Sequence, residues 1–325
     1  MATLSLDKAI SSVSAVQNLQ NGHPVFLLVA DDASHLVIKQ ESTTDTQNLK
    51  HNLTTMAMAS PKARSVILTQ PEVNVLKVYI AHKGYMINTH NGPPFTGDEN
   101  TLNTYLSQVG TWFKMKEAVG YTDLGRVASQ LLNGDKSGVR KLANALNDSN
   151  GLEALGKIVA ADLFNNNNDR FALNMAGPIY VRQGNADVRF NMQVLVNIGN
   201  VMAATSGSKL RLIGLDSWDP SAEGINDMNA DPTPDWTGRL LAPDKEVERL
   251  NFATAICGDL EMLLGTRNRR FDFLQQTRLN KDADKRIAKG MNKMRAILVA
   301  AMVRTLKRGR APAGITSRLA IVRGH

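Results

Sequence analysis

The residues of this chain best suited to chemistry are three acids and an amide in its middle third. Asp162 and Asp169 stand seven residues apart, with Arg170 directly after the second acid. Asn174 follows five residues beyond Asp169, and Asp216 comes later, at the end of an apolar segment. Carboxylate and amide oxygens are ligands that Mg²⁺ takes in proteins. Their order predicts a site that holds Mg²⁺ and moves a phosphoryl group.

Lys39 joins these residues as a candidate, and most of the candidates have both a chemical interpretation and an ordinary structural one. Lys39 ends an apolar strand and suits a phosphate contact, or it is an edge-strand lysine facing water. Asp169 follows a polar run and suits a base for an incoming hydroxyl, or it is a turn residue. Arg170 suits a phosphate or an acid of the protein itself. Asp216 suits a metal ligand or a turn, whereas Asp162 is interpreted as structural.

The N-terminal third is predicted to be rich in strands. The segments expected as strands are residues 24–30, 35–40, 66–68, 73–80 and 112–119. The first two flank a tight turn and predict a β-hairpin. Residues 1–20 are predicted to form an amphipathic helix or a loose leader, and residues 45–59 a helix that stops before Pro61.

The rest of the chain is predicted to be mostly helical. Helical spacing covers residues 124–132, 136–146, 152–164 and much of 246–306. Further strands are expected over residues 179–182, 193–204 and 209–215, the last two as a hairpin. The predicted fold class is therefore α+β in two lobes. The strand-rich lobe spans residues 1–118 and the helical lobe residues 119–325.

Composition excludes several other kinds of site. The only cysteine, Cys257, lies in an apolar run, which rules out an intramolecular disulfide framework and a cysteine-based zinc site. The six histidines show no metal-binding spacing. The sequence contains no nucleophile elbow, no Walker-type loop and no dinucleotide-binding glycine motif. It also lacks a transmembrane-length apolar run and a secretory signal pattern, which favours a cytoplasmic protein or one delivered into a target cell without a signal.

Positive charge is concentrated near the C-terminus. The formal net charge is +8, and residues 281–310 carry ten basic residues against two acids. Apolar residues from Ile287 to Leu306 share one helical face, so the preferred interpretation is a core-facing helix with a basic rim. The alternative is a surface for an anionic partner such as a phosphoinositide. Few aromatics accompany these charges, so nucleic acid is not favoured.

Three segments, taken in order, resemble the kinase fold. They are Val37-Ile38-Lys39, then Asp162-x6-Asp169-Arg170-x3-Asn174, then Ile213-Gly214-Leu215-Asp216. The order resembles most the atypical branch that holds the phosphatidylinositol 3- and 4-kinases and the HipA-like kinases. The resemblance covers roughly residues 24–220.

The resemblance implies an ATP- and Mg²⁺-dependent enzyme with a two-lobed kinase fold. Lys39 would bind the nucleotide phosphates, and Asp169, beside Arg170, would be the catalytic acid. Asp216 would be the principal Mg²⁺ ligand. Residues 112–119 would lie at the hinge, where Met115 to Glu117 supply backbone hydrogen bonds to the adenine.

Two asparagines compete for the second metal position. The offset from the catalytic acid selects Asn174, whereas a place at the start of the hairpin leading to Asp216 selects Asn200. An insertion over residues 175–192 separates the two. Asn200 is preferred because a hairpin sets a distance in space, and Asn197 is a weaker rival.

The sequence departs from the kinase pattern in three places. Ser217 stands where a glycine follows the metal acid, and the turn at residues 31–34 has two acids and no glycine. The helix after Lys39 offers no glutamate partner, because Glu41 is judged too close and Asp45 too short. These departures are compatible with a kinase that needs an activating partner protein.

The sequence thus predicts a kinase acting on a protein or lipid hydroxyl, with the character of a bacterial effector or toxin. The alternative is a non-catalytic pseudokinase or basic module that docks on an anionic partner. Nucleotidyl transfer on the same fold is a further enzymatic alternative.

Overall fold

The computed structural model places the chain in two compact units. One comprises Met1–Thr54 and Lys62–Val119, and the other comprises Thr55–Pro61 and Gly120–His325. The residues that the structure describes are 10–15, 25–30, 32–33, 35–61, 64–83, 86–87, 95–96, 107, 109–116, 122–134, 136–148, 150–167, 170–172, 178–183, 185–197, 200–206, 209–214, 240–264, 278–306 and 313–324. Within these ranges the fold class is α+β, as predicted, with a sheet-based first unit and a largely helical second unit.

The first unit is built on one sheet. Its strands are β1 (Ile10–Ala15), β2 (Val25–Ala30), β3 (His35–Glu41), β4 (Ser65–Ile67), β5 (Met86–Ile87), β6 (Phe95–Thr96) and β7 (Thr111–Lys116). They are ordered β4-β7-β3-β2-β1-β5-β6, antiparallel except for the parallel pair β1–β5. The helices α1 (Thr46–Ala59) and α2 (Gln70–Lys83) lie among the described residues of this unit. The division between the units falls within α1.

The predicted hairpin is confirmed as β2 and β3. Val25 pairs with Lys39 and Leu28 with Leu36, and the turn passes through Ala33 in a left-handed conformation, with φ of 58°. Phe26 stacks on Trp112 of β7 at 6.3 Å between ring centroids. Apolar side chains on alternating positions of these strands therefore form the core of the sheet.

The strand predicted over residues 73–80 is wrong, because these residues lie in the helix α2. Val73 and Leu76 are buried at a helical spacing of three, and the β-branched residues Val75 and Val78 are exposed. The Glu72 carboxylate accepts hydrogen bonds from the Thr69 N–H at 2.8 Å and from the Thr69 hydroxyl at 2.9 Å. This contact resembles half of a capping box and starts the helix despite the strand propensity of the run.

The helix or leader predicted over residues 1–20 is corrected as well. Residues 10–15 form β1, which pairs with β2 on one side and with β5 on the other. The register with β2 shifts between Ile10 and Ser12, so the two serines between Ile10 and Val13 interrupt strict alternation. Backbone pairing to β2 outweighs the helical spacing that suggested otherwise.

The described residues of the second unit combine helices with two small sheets. Its helices are α3 (Leu124–Leu132), α4 (Lys136–Asn147), α5 (Gly151–Asn165), α6 (Glu246–Leu263), α7 (Ala283–Leu306) and α8 (Ala313–Arg323). Its strands are β8 (Thr122–Asp123), β9 (Pro178–Gln183), β10 (Ala186–Asn191), β11 (Val201–Ser206) and β12 (Lys209–Gly214). The strands form the β9–β10 hairpin and a sheet ordered β12-β11-β8.

Helix α5 is the centre of this unit. It is buried along nearly its whole length, as expected of a helix that is apolar on most sides. It packs extensively against α7, whose residues Ile287, Met291, Met294 and Leu298 are fully buried on one face. That face confirms the interpretation of the basic C-terminal helix as core-facing.

The end of α1 is tied to β12 inside the second unit. The Ser60 hydroxyl donates a hydrogen bond of 2.7 Å to the Leu212 carbonyl, and both groups are buried. Residues 193–200, predicted as part of a strand, precede the start of β11 at Val201. The predicted hairpin is confirmed for β11 and β12, with Val201 opposite Gly214.

Candidate functional site

Lys39 lies on an interior strand, not at an edge. β3 is flanked by β2 and β7, and the Lys39 side chain is 11% exposed. Its Nζ is 2.7 Å from Oε1 of Glu41, whose side chain is 1% exposed. The solvated edge-strand interpretation therefore does not apply, and Glu41 is close enough to pair with Lys39, contrary to the sequence-based judgement. Residues two apart on a strand point to the same face, which is the reason.

Met115 lies on the same face of the sheet as Lys39. It is opposite Val37 of β3, two residues before Lys39. It is also opposite Ser65 of β4, so its backbone lies between two paired strands. A backbone hydrogen bond from Met115 to adenine is therefore disfavoured, and Glu117 lies outside the described residues.

The end of α5 places the polar loop that leads to Asp169. Asn166 adopts a left-handed conformation, with φ of 54°, and its N–H donates to the Leu163 carbonyl at 3.4 Å. The Asn167 N–H donates to the Asp162 carbonyl at 2.9 Å. This Schellman-type ending satisfies two carbonyls of the last turn. Asn is one of the few residues besides glycine that adopts this conformation readily, which explains part of the asparagine run.

The Phe164 carbonyl at this helix end is bound by a residue that is distant in the sequence. Arg318 of α8, fully buried, donates a hydrogen bond of 2.8 Å from its Nη1 to the Phe164 carbonyl. A cation at the C-terminus of a helix is favourable because the carbonyls there carry partial negative charge. Helix α8 therefore stabilises the end of α5.

Asp162 and Arg170 form a buried ion pair across this loop. The Arg170 Nε donates to Asp162 Oδ2 at 2.8 Å, and its Nη2 donates to Oδ1. The Arg170 and Asp162 side chains are 0% and 1% exposed. Of the two partners foreseen for Arg170, a phosphate and an acid of the protein, the structure shows the second. Arg170, which was predicted to lie at the catalytic site, is therefore engaged by an acid of the protein itself.

The segment after Arg170 is held by a short backbone bridge. Phe171 pairs with Leu195, the Ala172 N–H donates to the Val194 carbonyl at 2.7 Å, and the Val196 N–H donates to the Arg170 carbonyl at 3.0 Å. These bonds place residues 170–172 beside residues 194–196. Residues 170–172, which follow Asp169, are therefore held in two ways, through the Arg170 side chain and through their backbone.

Asp259 of α6 supports the same bridge from the opposite side. Its carboxylate is fully buried and accepts hydrogen bonds of 2.8 Å from the backbone N–H groups of Gln193, Val194 and Leu195. Sequence reasoning missed this residue. The available signal was an acid among the mostly apolar residues 256–264, which also include Glu261, because an acid among buried neighbours requires a hydrogen-bonding role.

Replacing Asp259 with alanine is expected to lower the free energy of unfolding by about 3 kcal/mol, since three N–H groups lose their acceptor. Asp259→Asn keeps one acceptor oxygen and is expected to lose less. Urea denaturation followed by circular dichroism measures both. The exposed Glu246 of the same helix supplies the control Glu246→Gln, which should leave stability within about 0.5 kcal/mol of wild type. An Asp259→Ala protein as stable as that control would contradict the assignment.

The β11–β12 hairpin brings a third segment to Arg170. A Cβ atom added to Gly214 would lie 3.3 Å from Arg170 Cζ and 3.1 Å from Ile158 Cγ2. The backbone of Gly214 therefore approaches the guanidinium more closely than most side chains would permit. Asn200, half-buried, directly precedes Val201, the residue opposite Gly214.

Several predicted site residues lie outside the described part of the chain. They are Asp169, Asn174, Asp216 and Glu117. Among the described residues, no group of three or more histidine, cysteine, aspartate or glutamate side chains could hold a metal ion. The magnesium site therefore stays a prediction, and so does the choice between Asn174 and Asn200.

The insertion between these two asparagines contains a hairpin. β9 and β10 pair along their whole length, with Pro178 opposite Asn191 at one end and Gln183 opposite Ala186 at the other. Gln183 Nε2 donates to the Leu132 carbonyl at 2.7 Å, which anchors the hairpin to the end of α3. Tyr180 on its outer face is exposed. The second strand, β10, was not predicted.

The basic rim of α7 is partly neutralised within the protein. Lys289 Nζ lies 2.8 Å from Glu153 Oε1 of α5, and Lys293 pairs with Oε2. Burial alone would raise the pKa of Glu153, but hydrogen bonds from Lys289 and Lys293 outweigh burial and hold it below its ordinary value. Two lysines of the basic rim are thus engaged by an internal acid.

No helix within the described ranges is long and apolar enough to cross a bilayer. A scan against models of known protein families gives no match, and a search of curated proteins gives no significant match.

Proposed function

We propose that this protein is a phosphotransferase of kinase-like fold, which moves the γ-phosphoryl group of ATP to a hydroxyl of a protein or a phosphoinositide. Lys39 binds the nucleotide phosphates, Asp169 orients the acceptor hydroxyl and takes its proton, and Asp216 ligates Mg²⁺. Asn200 is the preferred second ligand, and Asn174 is its rival. Cytoplasm, of the producing cell or of a target cell, supplies the ATP.

The main support is the convergence of three distant segments around Arg170. Arg170 directly follows Asp169, its guanidinium lies against Gly214, two residues before Asp216, and Gly214 pairs with Val201, which directly follows Asn200. An acid for the acceptor and two oxygen ligands for a cation are needed near one another. The described neighbours of Asp169, Asp216 and Asn200 lie close together, and this closeness supports the proposal.

The position of Lys39 is a second support. It lies on the third strand of the sheet, which is followed by a helix, as does the nucleotide-binding lysine of protein kinases. Its low exposure restrains a side chain that is otherwise flexible. A restrained ammonium can meet phosphate oxygens with little loss of entropy.

The donor set suits Mg²⁺, since this hard cation prefers carboxylate and amide oxygens. When bound, Mg²⁺ neutralises charge on the β- and γ-phosphates. The residues of the chain then have mainly positioning to do. The buried Asp162–Arg170 pair and the Phe171–Leu195 bridge hold the backbone on the C-terminal side of Asp169. A carboxylate held there can accept the acceptor's proton as the new ester bond forms and the bond from the γ-phosphorus to the bridging oxygen breaks, which releases ADP.

Replacing Asp216 with alanine is expected to abolish Mg²⁺-dependent ATP binding. The measurement is the nucleotide-induced thermal shift of purified protein with and without Mg²⁺. Asp187→Ala, on the exposed face of β10, is the matched control and should keep the shift. Asp169→Ala should keep ATP binding and lose transfer. Wild-type protein without any Mg²⁺-dependent shift would defeat the proposal.

ATP labelled separately at the α- and γ-phosphates separates phosphoryl from nucleotidyl transfer. Label transferred only from the γ-position supports the kinase. A non-catalytic module remains the second candidate, because Ala33 replaces the glycine expected in the phosphate-covering turn. That candidate predicts binding of an anionic partner without any label transfer.

A further inference from the structure

The Lys39–Glu41 pair is enclosed in the sheet of the first unit. The two charged groups are 2.7 Å apart on one face of β3, and the carboxylate side chain has only 1% of its surface exposed. A charge buried to this extent is stable only with a close partner. The pair therefore restrains both side chains in one arrangement.

The helix after β3 offers Lys39 no other acid. α1 contains neither aspartate nor glutamate. Asp45, just before it, is already engaged, since Oδ1 accepts the N–H groups of Gln47 and Asn48 at 3.0 Å and Oδ2 accepts from the Asn48 side chain at 2.7 Å. It therefore caps the N-terminus of α1, and Glu41 is the acid paired with Lys39.

The backbone around Glu41 is held tightly. Glu41 lies opposite Thr111 of β7, whose hydroxyl donates to the Thr43 carbonyl at 2.7 Å. A Cβ atom on Gly110 would overlap the Glu41 carbonyl oxygen, so only glycine fits there. Close packing on this side therefore fixes the backbone position from which the Glu41 side chain extends.

We propose that Glu41 is a positioning residue, which aims the Lys39 ammonium at the nucleotide phosphates from its own strand. This role rests on the proposed function of Lys39. In protein kinases the comparable lysine pairs with a glutamate of the following helix. Here the acid, Glu41, lies two residues after Lys39 on the same strand. An ammonium has three N–H donors, so Lys39 can stay in its ion pair with Glu41 while N–H groups meet phosphate oxygens.

The test is a double-mutant cycle on Mg²⁺-ATP binding, measured by isothermal titration calorimetry with a non-hydrolysable ATP analogue. Glu41→Gln and Lys39→Met are each expected to raise the dissociation constant by about tenfold, because charge-assisted contacts are lost. The double variant should bind like Lys39→Met alone. That non-additivity is the signature of Glu41 acting through Lys39.

The matched control is Glu72→Gln. Glu72 pairs with Lys114 at 2.5 Å, on the sheet face opposite to Lys39. Breaking this ion pair should affect stability but leave ATP affinity unchanged. Equal weakening by Glu72→Gln and Glu41→Gln would show a merely structural effect and overturn the inference.

The outcomes separate the role of Lys39 from the role of Glu41. If Lys39→Met leaves ATP affinity unchanged, the proposed function of Lys39 fails. If Lys39→Met weakens binding but the Glu41→Gln effect simply adds to it, only the role of Glu41 fails. Tighter binding by Glu41→Gln would mean that Glu41 competes with phosphate, which also overturns its positioning role.

A second variant covers the case in which Glu41→Gln folds poorly. Glu41→Asp keeps the charge but shortens the side chain, and it should raise the dissociation constant by a smaller factor. Labelling with an acyl-phosphate derivative of ATP, read by mass spectrometry, then reports the placement of Lys39 directly. Acylation of Lys39 equal to wild type in Glu41→Asp and Glu41→Gln would overturn the inference.

Discussion

Replacing Gly156 with alanine is expected to lower the free energy of unfolding by about 3 kcal/mol or more. Gly156 of α5 faces Gly290 of α7, and a Cβ atom at Gly156 would overlap the Ile287 carbonyl. The obstacle is backbone, which cannot rotate away. Alanine's better helix propensity returns only about 1 kcal/mol. Chemical denaturation followed by circular dichroism measures the difference.

The reciprocal change gives an independent check. A Cβ atom at Gly290 would overlap the Glu153 carbonyl, so Gly290→Ala should cost a similar amount. The Glu153 ion pairs with Lys289 and Lys293 lie beside this crossing. Separation of α5 and α7 would therefore also stretch these pairs.

Gly134→Ala is the control for the substitution itself. Gly134 has φ of 90°, and nothing lies within 4 Å of a Cβ atom there. Its replacement by alanine tests backbone strain without any steric overlap of the new Cβ atom. We expect it to lower the free energy of unfolding by about 1 kcal/mol. If Gly156→Ala were no worse than Gly134→Ala, the close approach of α5 and α7 would be refuted.

Periodicity of three to four residues was a sound guide to the helices. The spacing of apolar residues predicted α1, α3, α4 and α5 with ends within about two residues, the usual uncertainty of boundaries. Turn composition predicted both the β2–β3 and the β11–β12 hairpins. These features depend on neighbours in sequence, so the sequence carries them.

The α2 error shows where local propensity misleads. Val73, Val75 and Val78 favour strands as single residues, but only Val73 of the three is buried. The deciding contact is between Thr69 and Glu72, three residues apart. A search for capping pairs before β-branched runs would have found this helix.

The supports of the candidate site depend on contacts that sequence order does not reveal. Asp259 reaches a segment more than sixty residues earlier, and Arg318 reaches Phe164 from the C-terminal helix. Nothing in the local pattern around either residue names its partner. Glu41 differs, because alternation along β3 places it beside Lys39, and that signal was overlooked.

Removing either partner of the Asp162–Arg170 pair is expected to lower the free energy of unfolding by about 3–5 kcal/mol. Asp162→Leu leaves the Arg170 guanidinium buried without its carboxylate, and Arg170→Met leaves the carboxylate without its cation. An isolated buried charge is far more costly than the pair is stabilising. Urea denaturation of both variants measures the two losses.

The double variant Asp162→Leu/Arg170→Met removes both charges, so we expect it to recover most of the lost stability. Under the proposed function, phosphoryl transfer should not recover, because the ion pair proposed to position Asp169 is absent, although ATP binding through Lys39 and Asp216 should persist. If stability losses simply add in the double variant, the two side chains do not form a pair. If transfer returns with stability, the pair serves the fold alone, and the positioning of Asp169 must come from the Phe171–Leu195 bridge and Asp259.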